Sequence, residues 1–142
     1  RIAGHSACAN VGGAIVWIDG QPMEDWSFGE FSCDGHPIVV LKRQVGGTSN
    51  NPKWRIVDAL ALPPYEPEGA PRRPGALRLH FTGDCELDGR TDTLFLALVR
   101  FGKRERIDWK TGVTRAWGFN LAAERIVPIS TKRVVCHRPE PA

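Results

Sequence analysis

Asp84, Glu86 and Asp88 alternate along the chain and are followed by Gly89 and Asp92, the way carboxylates are spaced where they converge on a hard cation in a calcium-binding loop. The pattern stops halfway. Phe95 occupies the place where a bidentate Glu would close such a loop, Cys85 interrupts the acidic run, and the flanks read as strands instead of helices. The expectation is a hydrogen-bonded turn. His5, His36, His80 and His137 have no spacing that would bring two imidazoles to one zinc ion. Cys33 and His36 flank an Asp-Gly pair, a composition that a turn alone explains. The chain holds no G-x-S-x-G elbow, phosphate-binding glycine loop or dinucleotide fingerprint. It therefore reads as non-enzymatic, with no metal and no cofactor.

The remaining chemistry is recognition. Arg100, Lys103, Arg104, Arg106, Trp109, Lys110, Arg115 and Trp117 interleave cations with indoles. Residues 1–71 carry 5 basic and 8 acidic side chains, while residues 72–142 carry 14 and 8, so the second half is the basic one. Phosphates and stacked bases would suit such a patch. Against nucleic acid stand a net charge of only +3 and the acids Glu105 and Asp108 inside the cluster. Trp and Arg are also the residues most enriched at protein–protein hot spots, so a protein partner is expected. The residues expected to meet it are Lys103, Arg104, Arg106 and Trp109, with Trp26 beside Glu24 and Asp25 as the exposed indole. Asn50 and Asn51 in a loop over 46–52, and Tyr65 in a proline-rich loop over 63–75, complete the set.

These groups must be positioned by a β framework. Composition is ordinary for a globular chain, with 42% hydrophobic and 25% charged residues, and 142 residues suit a single domain. No run approaches the ~18–20 apolar residues of a membrane-spanning helix. The long segments alternate with period two and are rich in Val, Ile, Leu, Trp and Phe. About nine short strands are expected in an all-β, mainly antiparallel sandwich or barrel, with at most one helical turn, over 120–125. Asp19-Gly20, Asp34-Gly35 and Asp88-Gly89 mark turns, because these pairs accept positive φ. Strands over 76–87 and 93–101 are expected to form a hairpin around residues 88–92. Trp54, Ile56, Asp58, Leu60 and Leu62 are placed on one face of a strand over 53–62, and most tryptophans in the core.

Cys8, Cys33, Cys85 and Cys136 are widely separated, with no C-x-x-C spacing. An even number of such cysteines in a small β-rich chain reads as disulfides in an oxidising compartment. Of the three possible pairings, Cys8–Cys33 and Cys85–Cys136 is expected, since it ties the N-terminal arm to the first hairpin and the last strand to the centre. The chain opens at Arg1 with no leader, as a mature exported form would.

The segments Cys85-Glu86-Leu87-Asp88-Gly89, Leu96-Ala97-Leu98-Val99, Arg115-Ala116-Trp117 and Val134-Val135-Cys136, with Asp92, resemble a pattern of small exported proteins of Gram-negative bacteria. In general character the chain is similar to periplasmic immunity proteins against type VI secretion effectors, and to bacterial lysozyme inhibitors. That resemblance implies a periplasmic or secreted binding protein that inhibits a cell-wall hydrolase or a secreted amidase-like effector. It transfers no catalytic residue. Two other expectations are a β-barrel carrier of a small apolar ligand and a structural envelope protein.

Overall fold

In the computed structural model, residues 8–48, 50–66, 73, 75–81 and 83–138 are described. The described residues are all-β: eleven strands in three sheets, with every pairing among them antiparallel, and one 3₁₀ turn, Thr131–Arg133. It divides into two compact units, residues 1–64 with 119–126, and residues 65–118 with 127–142.

The first unit is a meander of four long strands, β1 (Cys8–Ile18), β2 (Gln21–Cys33), β3 (His36–Thr48) and β4 (Asn51–Ala61), paired in chain order. Two of its turns are the Asp-Gly pairs. Asp19 and Gly20 have φ of 49° and 78°, Asp34 and Gly35 φ of 51° and 80°, and two consecutive left-handed residues match the twist of a hairpin. Cys8 stands directly opposite Cys33 and is bonded to it. Val16, Phe28, Val39, Val40, Leu41 and Leu62 are buried, and Phe28 stacks on Phe119 with ring centroids 5.8 Å apart.

Two features of this sheet depart from the sequence reading. Residues 46–48 and 50–52, expected in a loop, belong to the end of a hairpin: β3 runs to Thr48, opposite Asn51. Gly47 permits this, since its φ is +81° and a side chain there would collide with the Asn51 carbonyl. Second, Leu41 pairs with Asp58 but Lys42 pairs with Ile56, so Val57 is bulged. One extra residue reverses the side-chain alternation. Asp58 and Leu60 therefore share a face with Leu41 and Val39, while Ile56 and Trp54 lie on the other with Lys42 and Gln44.

The second unit contains β5 (Leu77–His80), β6 (Cys85–Leu87), β7 (Leu96–Arg100), β8 (Arg106–Ile107), most of β9 (Val113–Asn120), the end of β10 (Arg125–Pro128) and β11 (Val134–His137). One sheet has the order β10-β9-β7-β5 and another β6-β11-β8. The hairpin expected around residues 88–92 is divided: β7 pairs with β5 and β9, whereas β6 pairs with β11, carrying the Cys85–Cys136 disulfide. The core comprises Phe95, Ala97, Val99, Ile107, Val113, Ala116 and Val134 with both of those cysteines. Residues 121–124 form a turn, not a helix, with Glu124 at φ 54°. Among the described residues no helix is long and apolar enough to cross a membrane.

Candidate partner-binding site

In the second unit the chain leaves β8 through a turn built by one carboxylate. Asp108 Oδ1 accepts the backbone N–H of Lys110 at 3.0 Å and of Thr111 at 3.2 Å, and the Thr111 hydroxyl at 3.0 Å. Burial opposes ionisation of Asp108, but the Thr111 hydroxyl, the two N–H groups and the Arg106 charge outweigh it and hold the carboxyl below its ordinary pKa. Trp109 sits on this braced turn, 44% exposed. The ammonium groups of Lys110 and Lys132 each stand 5.2 Å from the centre of its ring.

Lys132 comes from a segment far away in sequence. Its 3₁₀ turn is capped by Ser130, whose hydroxyl accepts the Lys132 N–H, and is anchored by Arg133. The Arg133 guanidinium reaches both oxygens of Asp88, with Nη2 2.6 Å from Oδ2, and the Asp88 N–H donates to the Arg133 carbonyl at 2.9 Å. Those hydrogen bonds, and then the charge, keep Asp88 ionised below the usual carboxylate range. Asp92 is likewise engaged by Arg90. Two carboxylates of the acidic run thus hold guanidiniums. Asp88 positions Lys132 at one remove through Arg133. An open groove of about 460 Å³ lies between residues 114–117 and 128–131, and the chain runs from its Thr131 directly into Lys132.

The other sequence-selected residues are placed as follows. Lys103 and Arg104 are exposed, and their segment is tethered by Arg138, which donates to the carbonyls of Lys103 and Glu105. Arg106 is exposed on β8, opposite His137, with its guanidinium 3.5 Å from Asp108. Tyr65 is half-buried, and most of the proline-rich loop, residues 67–72 and 74, lies outside the described residues. In the first unit, Asn50 and Asn51 are exposed at the tip of the β3–β4 hairpin. Trp26 is half-buried, because Arg43 stands opposite it across the strands, 5.5 Å from its ring, and is itself held by Glu124 at 2.9 Å. The exposed indoles are Trp17 and Trp109, while Trp117 is buried. The structure thus brings Arg106 and Trp109 together with Lys110 and adds Lys132, which no sequence spacing marks. Trp26, Asn50 and Asn51 belong to the other unit.

Comparison of the chain with protein-family models, with curated proteins and with solved structures finds no match.

Proposed function

We propose that the chain is a non-enzymatic binding protein of the periplasm that inhibits a cell-wall-directed enzyme, as an immunity protein against a secreted amidase-like effector would. The two disulfides suit an oxidising, extracytoplasmic compartment. The observation that carries the reading is Trp109, an exposed indole on a braced turn with two ammonium groups over its ring. An aromatic anchor that is already ordered loses little entropy on docking, and the cations around it, Arg106, Lys110 and Lys132, steer it toward an acidic surface.

The test is capture of envelope and secreted proteins on the oxidised protein, followed by assay of the captured hydrolase. Stoichiometric inhibition by the wild type and loss of it in Trp109→Ala is the expected result. Truncation of such an anchor costs at least about 2 kcal/mol of binding. If no cell-wall hydrolase is inhibited, or Trp109→Ala inhibits as well as wild type, the reading fails.

A further inference from the structure

One rung of the first unit's sheet runs Ile15, Ser27, Lys42, Ile56 across all four strands. Directly paired antiparallel residues point to the same side, so these four side chains line one face. Trp17 joins them two residues along β1 from Ile15, and Trp54 lies beyond the Val57 bulge. The outer members are exposed apolar groups: Ile15 is 36%, Ile56 46% and Trp17 46% accessible. The two central members are polar, one buried and one partly exposed. Ser27 is only 6% exposed, and its hydroxyl has no hydrogen-bond partner. The Lys42 ammonium has no carboxylate within salt-bridge distance among the described residues, and its one recorded attraction is the Trp54 ring, 5.8 Å away.

Leaving a buried donor such as the Ser27 hydroxyl unpaired is costly. Burial lowers the Lys42 pKa, with no opposing partner to restore it. The space over Gly29 is filled by the Phe31 ring, 2.8 Å from where a Cβ would stand, and by the Lys42 Nζ at 3.4 Å. A cation and a hydroxyl donor stand on paired residues in the middle of an apolar face, the hydroxyl buried without an acceptor and the ammonium partly exposed without a counter-ion among the described residues.

We propose that this face binds a long-chain carboxylate, whose head accepts from Lys42 and Ser27 and whose chain runs toward β1, over Ile15 and Trp17. One ammonium and one hydroxyl match a monoanion. The four rotatable bonds of the Lys42 stem let its ammonium follow the head group and open the hydroxyl beneath to it. The ligand gives the buried Ser27 hydroxyl an acceptor and the Lys42 ammonium a counter-ion, and removes apolar surface from water in the same step. This site lies in the first unit and does not depend on the Trp109 surface.

Calorimetric titration of the full oxidised chain with dodecanoate below its micellar concentration tests the site, with dodecyl maltoside as the uncharged chain of equal length. The wild type is expected to bind dodecanoate and to bind the maltoside at least about tenfold more weakly, the difference a charge-assisted hydrogen bond makes. Lys42→Met should lose about tenfold and Ser27→Ala a few-fold, while Lys42→Arg retains binding. Trp109→Ala should bind dodecanoate unchanged, which separates this site from the partner surface. If Lys42→Met is destabilised, Ser27→Ala and the Arg variant still decide. Equal binding of both amphiphiles, or full affinity in Lys42→Met, would overturn the proposal, as would no binding by the wild type.

Discussion

The Asp58 carboxylate accepts the backbone N–H of Ile126 at 2.7 Å, across 68 residues of chain. Its other oxygen accepts the N–H of Ala59 at 2.9 Å. An acid at position 58 is out of place in an apolar strand pattern until Ile126, itself buried, is seen to need an acceptor. Asp58→Ala is expected to destabilise the first unit by about 1.5–3 kcal/mol, the range for a hydrogen bond to a charged group. Asp58→Asn, which keeps a carbonyl acceptor, should cost less. Urea unfolding of the two variants checks both.

Acid should weaken the Arg133–Asp88 pair. Because Asp88 titrates lower when folded than when unfolded, its contribution is complete above the ordinary carboxylate range and lost as pH falls through the depressed folded value. Asp92 and Asp108 shift the same way and add to the trend. Arg133 is raised for the same reason as Asp88 is lowered, so both partners agree in sign. Thermal unfolding measured from pH 6 down to pH 2 should show the loss, and Asp88→Asn should flatten it. An unchanged pH profile in that variant would refute the assignment.

The two cross-links should contribute unequally. Cys8–Cys33 closes a separation of 25 residues and Cys85–Cys136 one of 51. Loop-closure entropy gives about 3.5 kcal/mol for the first and about 4 kcal/mol for the second. Denaturant midpoints of Cys8→Ser/Cys33→Ser and Cys85→Ser/Cys136→Ser, each compared with the oxidised wild type, test the order. The reverse order would show that the denatured chain is already structured near one pair.

Gly47→Ala is expected to loosen the tip of the β3–β4 hairpin. The new methyl would enter the space of the Asn51 carbonyl at a φ that L residues rarely adopt. Strain of this kind costs about 1–3 kcal/mol, whereas alanine at Gly46, whose nearest neighbour would be the Lys53 side chain at 3.9 Å, should cost less. Amide exchange at Thr48 and Asn51 reads the local effect.

What the sequence disclosed was local. Asp19-Gly20, Asp34-Gly35 and Asp88-Gly89 each adopt the left-handed pair of conformations that their composition favours, and period-two alternation marked the strands. The Val57 bulge was not legible, because an extra residue changes nothing in composition yet moves Trp54 and Ile56 to the opposite face. The pairing of β6 with β11 was hidden for another reason: nearby β7 offered the same β-rich pattern, and only packing chooses between them. Trp109 and Arg106 could be singled out by residue type. Lys132 could not, since its place over the indole depends on Arg133 reaching Asp88, 45 residues away.

The meander of the first unit also sets an order of events in time. Each of its strands pairs with the next in sequence, and its disulfide joins directly opposed residues of a single hairpin. Cys8 and Cys33 precede Cys85 in the chain by about 50 residues and close the shorter separation. The second bond must wait for Cys136 and the closing strand β11. Local contacts form fast and distant ones slowly. The topology of this chain thus favours closing Cys8–Cys33 ahead of Cys85–Cys136.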